Sequence, residues 1–255
     1  MEISTVIGLV LGLGSVLGMV LLEGGSPAEL IGIPAGVIVF GATFAASFVQ
    51  FPLKVVLSLP KLIIQSFQTL EANSTETIDQ LVALADRARR DGLLALEEAA
   101  GQLDDQFLQK GIMLVVDGVD SKTVSEIMET EMALASERHE AGFGLLEAMG
   151  GYAPTMGILG TVMGLVNVLS QLANPEELGR LIASAFLATL YGIGSANLLW
   201  LPLAGKLRGK DDKEMLARRM MKAGVLSIQA GESPRIVRDK LESFLAPAER
   251  EREEE

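Results

Sequence analysis

The chain has 255 residues, a formal net charge of −12 and no cysteine. Disulfides, thiolate metal sites and cysteine nucleophiles are therefore excluded. The acidic balance argues against nucleic acid, which demands a concentrated basic surface. The single histidine, His139, lies in the charged stretch SERHEAG and reads as a solvated surface residue, so histidine-based metal catalysis has no ligand set.

Apolar residues make up 49% of the chain although 21% are charged, the average of very greasy and very polar segments. Charges are absent from Ile3 to Leu22 and again over 30–53, and about 20 such residues suffice for a helix to cross a bilayer. The first run pairs Gly8 with Gly12 and Gly14 with Gly18, a spacing that lets helix backbones approach closely. It does not read as a cleavable signal, because no basic segment precedes it and no A-x-A site follows. The second run carries Gly36, Gly41, Ala45 and Ala46, then meets Pro52, Lys54, Pro60 and Lys61.

From Lys54 to about Gly142 the chain turns hydrophilic. Asn73 reads as an N-cap with Glu76 three residues on, and Ile78, Leu81, Val82, Leu84 and Ala85 repeat at helical spacing up to Arg90. Asp91-Gly92 breaks that helix, LLALEEAA starts another, and 105–116 makes a third before the turn Asp117-Gly118-Val119-Asp120. Ser121 is expected to cap a helix that continues unbroken into a third span, kinked at Pro154.

Two more uncharged runs, 149–172 and 181–204, flank the turn Asn174-Pro175-Glu176-Glu177. Each contains a proline (Pro154, Pro202), a tyrosine (Tyr152, Tyr191), a threonine (Thr161, Thr189) and an asparagine (Asn167, Asn197). Polar groups are expensive in lipid unless paired, so these should face protein or a water-filled path. Gly157, Gly160 and Gly164 form a small-residue stripe around Thr161; Ala188, Gly192 and Ala196 form another beside Thr189. The spacing allows plain helix packing or a shared path. Lys206, Arg208 and Lys210 follow, then an amphipathic helix over 213–229, a proline-initiated one over 234–244 after Ser233, and a solvated acidic tail.

Orientation follows from basic residues near the span ends. The two short loops hold one, Arg180, whereas Lys54, Lys61, Lys206, Arg208 and Lys210 lie on the opposite side. Both termini and the long middle segment are therefore expected in the cytoplasm. The fold expected is an all-α membrane protein: four transmembrane helices, with long cytoplasmic helical extensions of spans three and four. Its parts are a hairpin of spans one and two (1–53), a cytoplasmic helical loop (54–142), a hairpin of spans three and four (143–205) and a cytoplasmic helical tail (206–255).

No nucleophile–base set appears, and the glycine-rich runs lack a P-loop lysine, so neither an enzyme nor a cofactor is expected. Transport remains, with one deficit. No carboxylate lies inside any of the four spans, yet carrying protons or sodium across a membrane usually uses one. A conduit here must take its acid from a partner helix.

The run GGYAPTMGILGTVMGLVNVL, the turn NPEELG, the run AFLATLYGIGSANLLWLPLAGKLR and the stretch ARRDGLLALEE together resemble the flagellar stator family of MotA and its sodium-type relative PomA. The resemblance implies a multi-pass subunit of the bacterial inner membrane, assembled as a homopentamer around two copies of a MotB/PomB-type partner. Each partner copy supplies an intramembrane aspartate, and torque passes to the rotor protein FliG. The transported cation would be Na+ or H+, with Thr161 and Thr189 on its path; two hydroxyl ligands lean toward sodium. Pro154 and Pro202 match the family's coupling prolines. Arg89 and Glu97 match its rotor-engaging charges, with Arg90 and Glu98 as neighbours, and Glu131 matches an acidic residue before span three. The related TolQ/ExbB motors typically have three spans and an outside N-terminus, which four uncharged runs with these basic flanks disfavour. A non-conducting membrane scaffold would also account for the small-residue stripes, whereas a stand-alone transporter is opposed by the missing intramembrane acid.

Overall fold

The computed structural model describes residues 2–69, 74–173 and 175–247. The cap at Asn73, the turn residue Asn174 and the acidic tail at 249–255 lie outside the described residues. Regular structure among the described residues is entirely helical. In chain order the helices are α1 (Ile3–Leu22), α2 (Pro27–Gln50), α3 (Leu53–Leu57), α4 (Leu59–Phe67), α5 (Ser74–Asp91), α6 (Leu96–Ala100), α7 (Gln106–Val116), α8 (Ser121–Ser170), α9 (Pro175–Gln229) and α10 (Pro234–Glu242). Of these, α1, α2, α8 and α9 are long and apolar enough to cross a membrane.

The chain divides into two units, the first comprising Met1–Thr69 and His139–Gly209. Its core joins Ala35 and Val39 of α2 to Leu146, Met149 and Ala153 of α8 and to Ala188, Ala196 and Trp200 of α9. Large apolar side chains such as Ile158, Val162, Leu169 and Phe186 point outward instead, the reverse of a water-soluble pattern and the pattern of a surface facing lipid or partner helices. No residue of α1 is buried. Its start is held by Glu2, whose N–H donates to the Phe67 carbonyl at 2.8 Å and whose carboxylate pairs with Lys206.

Two irregularities in the spans have chemical causes. Helix α2 opens with a 3-10 turn, Pro27–Leu30, and is extended at Ile31 before resuming at Ile33. Backbone groups at such a break have no water to turn to in a bilayer. The Tyr191 hydroxyl of α9 serves two of them, accepting from Gly32 N–H at 2.8 Å and donating to the Leu30 carbonyl. In α9 a π-helical turn, Ala196–Trp200, ends two residues before Pro202. Proline cannot donate to the carbonyl four residues back and its ring crowds that turn, so a widened turn relieves the misfit. The Asn197 amide donates to the Ile193 carbonyl at 2.9 Å, pairing another backbone group beside the bulge. Helix α8 passes through Pro154 without a break.

The second unit comprises Leu70–Arg138 and Lys210–Glu255. Its core is built at helical spacing from Ile78, Leu81 and Ala85 of α5, Leu108 and Ile112 of α7, Val124 and Met128 of α8, Met221 and Val225 of α9, and Val237 and Leu241 of α10. Side-chain caps set the helix starts. Asp105 accepts from Leu108 N–H at 2.8 Å, and Ser233 from Ile236 N–H at 3.4 Å. The cap of α8 is Asp120, not Ser121. Its carboxylate accepts from the Thr123 hydroxyl at 2.6 Å and from Thr123 N–H at 3.0 Å. Those bonds, the hydroxyl's foremost, hold the Asp120 carboxyl below the usual range. The helix expected over 213–229 does not begin there: α9 runs on through Gly205 and Gly209 as one helix to Gln229.

Candidate functional site

Spans α8 and α9 run antiparallel with their backbones in contact, and the two small-residue stripes make that contact. A Cβ placed on Gly192 would lie 2.5 Å from the Ala153 carbonyl oxygen and 3.1 Å from Pro154 Cα. On Gly157 it would lie 2.7 Å from the Ala188 carbonyl oxygen, and on Gly164 2.6 Å from Ala185 Cβ. Only glycine fits at these positions, as small-residue helix packing requires.

Thr161 and Thr189 meet within this seam, their Oγ1 atoms 2.5 Å apart and both partly buried. Thr161 Oγ1 also lies 3.0 Å from the Ala185 carbonyl and 3.1 Å from the Gly157 carbonyl. Carbonyls only accept, so when Thr161 gives its one proton to either of them, Thr189 donates to Thr161. The result is a short hydroxyl chain across the two spans. A cavity of about 450 Å³ flanks it, lined in part by Ala35, Ile38, Gly164, Asn167, Ser184 and Ala185. A cation or water entering the seam would find hydroxyl and carbonyl oxygens and no carboxylate.

The prolines sit at different points. Pro154 lies against Gly192 at the closest backbone contact of the two helices. Pro202 is exposed, beside a cavity of about 320 Å³ also lined by Ser4, Thr5, Asn197 and Lys206.

In the second unit, Arg89 and Arg90 end α5, and Glu97 and Glu98 begin α6. Gly92, at φ +86°, makes the turn between them, a backbone conformation that side chains disfavour. The charges pair selectively. Arg90 bonds Asp86 at 2.8 Å, and Glu98 bonds Arg87 at 3.0 Å. Arg89 and Glu97 are exposed and form no ion pair among the described residues. Leu94 stands between them, 75% exposed. Sequence reasoning missed Arg87, although its place one turn before Arg90 put it within reach. Glu131 pairs with Lys110, tying α8 to α7. Two further partners were missed because only the helix crossing creates them: the Tyr191 bridge, and an ion pair of Glu147 with Arg208 at 2.6 Å.

Residues 99–220 match the MotA/TolQ/ExbB proton channel family, and residues 6–92 match the motility protein A N-terminal family. Motility protein A of Bacillus subtilis is 36% identical, with 98% of this chain and 93% of the relative covered. The chemotaxis protein PomA of Vibrio alginolyticus is 36% identical, with 98% of each covered. Among solved structures, C. jejuni MotAB superposes with a TM-score of 0.91 at 32% identity, covering 97% of each chain. The flagellar MotAB stator complex of Bacillus subtilis gives 0.90 at 35% identity, covering 98% of each. Since four apolar spans, the glycine-seamed pair α8–α9 and near-full-length likeness coincide, the chain belongs to the motility protein A family of multi-pass membrane proteins.

Proposed function

We propose that this chain is the ion-path subunit of a flagellar stator in the bacterial inner membrane, with both termini in the cytoplasm. Several copies, a pentamer in our reading, surround a MotB-type partner that contributes an intramembrane carboxylate. The observation that carries the reading is the Thr161–Thr189 hydroxyl chain, set at a backbone contact in spans that hold no acid. A cation bound to the partner's carboxylate still needs further oxygens to replace lost water. If the Thr189 hydroxyl leaves Thr161, both oxygens become available. The cation is Na+ or H+; two hydroxyl ligands favour sodium, which needs such oxygens directly.

Pro154 and Pro202 have the coupling role in this reading. Each interrupts the hydrogen-bond ladder of a span, so a small shift of the seam can be taken up there without breaking further backbone bonds. Arg89 and Glu97, left unpaired by their neighbours, offer opposite charges to FliG, and Leu94 offers an apolar contact between them.

The test is cation uptake and swimming with Thr189→Ala and Pro154→Ala in the assembled stator. Both variants should insert normally; Thr189→Ala should lose ion flow, and Pro154→Ala should lose torque. Parental uptake by Thr189→Ala would refute the path. Swimming speed against sodium concentration, with an uncoupler control, identifies the ion.

A further inference from the structure

We propose that Glu147 is a second cation station on this route, at the cytoplasmic end of span three, with Arg208 as the resident counter-ion that an arriving cation displaces. The inference rests on the Thr161–Thr189 path proposed above and extends it inward.

The seam sets the position. Gly164 meets Ala185, Thr161 meets Thr189, Gly157 meets Gly192 and Gly150 meets Leu201. The next polar contact in that antiparallel register is the Glu147 carboxylate with the Arg208 guanidinium, at 2.6 Å. Glu147, Pro154 and Thr161 are seven residues apart, and an α-helix drifts only about 20° per seven residues, so all three share one face of α8. Glu147 lies about 21 Å along the axis from Thr161, and no other acid intervenes on α8. On the flank between them, Gly151 has no side chain, and its Cβ position has nothing within 4 Å. Gly151 is exposed, so the α8 surface between the hydroxyls and the carboxylate carries no side chain at that point.

Arg208 has two places to rest. Its guanidinium carbon lies 5.1 Å from the centroid of the Phe143 ring, and Phe143 is one helical turn from Glu147. A cation reaching Glu147 can take the carboxylate while the guanidinium stays over the ring. Returning, Arg208 expels the cation to water. Charge balances at each step, because one cation replaces another on a single carboxylate. A pair serving only as a clamp would need both partners equally. A station depends on the carboxylate, which holds the cation, more than on the arginine, which only clears it.

The experiment uses the complete stator in vesicles, measuring cation uptake and thermal stability together. Glu147→Gln should cut uptake about tenfold or more, as loss of a charge-assisted ligand does. Glu147→Asp should keep most of it, and Arg208→Gln, which keeps the carboxylate but lacks the group that clears it, should lose less uptake than Glu147→Gln. The exchanged pair, Glu147→Arg with Arg208→Glu, restores the ion pair and should recover stability without recovering uptake. Equal loss in Glu147→Gln and Arg208→Gln, or recovered uptake in the exchanged pair, would overturn the proposal in favour of a clamp. Parental uptake by Glu147→Gln where Thr189→Ala fails would overturn the station alone. Parental uptake by both would remove the path itself, and the station with it.

Discussion

Gly192→Ala adds one methyl group at the closest backbone contact of the α8–α9 seam. The new Cβ would sit 2.5 Å from the Ala153 carbonyl oxygen, and ordinary contact begins near 3.4 Å. The obstacles are backbone atoms of Ala153, Pro154 and Gly157, which no rotamer change can move. The spans must therefore part by about 0.9 Å, an overpacking strain worth about 1–3 kcal/mol. A rigid retreat of that size also stretches the 2.5 Å Thr161–Thr189 contact to the outer limit of a hydrogen bond. One methyl should thus lower thermal stability in detergent and abolish ion-driven swimming. Gly194 is the control: it lies two residues along the same helix, and nothing lies within 4 Å of its Cβ position. Gly194→Ala should insert, melt and swim like the parent. Melting and motility measured on both variants decide the matter, and equal behaviour of the two would refute the packing argument.

Tyr191→Phe removes the hydroxyl that serves Gly32 N–H and the Leu30 carbonyl, and should cost about 1–2 kcal/mol in detergent unfolding; amide exchange at Gly32 should rise at the same time. Arg89→Glu and Glu97→Lys should each impair swimming with stability unchanged, because neither breaks an ion pair among the described residues. Arg87→Glu, by contrast, also disrupts the bond to Glu98 and should show a local loss of protection around α6. Lys222→Met tests pH linkage. The Lys222 ammonium hydrogen-bonds Glu129 and attracts its charge, holding that carboxyl below its usual value. A lowered native pKa contributes stability above the unfolded pKa and loses it as pH falls through the native one. The melting temperature of Lys222→Met should therefore fall below the parent's at neutral pH, and the gap should close in acid beneath the carboxylate range.

Much of this protein was legible in its residues alone. Four uncharged runs announced four spanning helices, because hydrocarbon admits no unpaired charge. Helical repeats of Ile78, Leu81 and Ala85 marked which side of α5 is buried, and the stripes around Thr161 and Thr189 marked where backbones could touch. What one dimension could not choose was between packing and path. Gly157 and Gly192 are spent on backbone contact, so packing holds, and the same crossing brings together the two hydroxyls on which the proposed path rests. Partner choice among charges was equally invisible. Arg87, Arg89 and Arg90 look alike in a string, but the turn at Gly92 and the start of α6 decide that Arg87 takes Glu98 and Arg90 takes Asp86, with Arg89 left over among the described residues. Local composition determines which segments enter the membrane, since burial in lipid is a property of each segment. Hydrogen bonds between residues 28 to 161 positions apart, such as Thr161 with Thr189 and Tyr191 with Leu30, exist only once the helices have crossed.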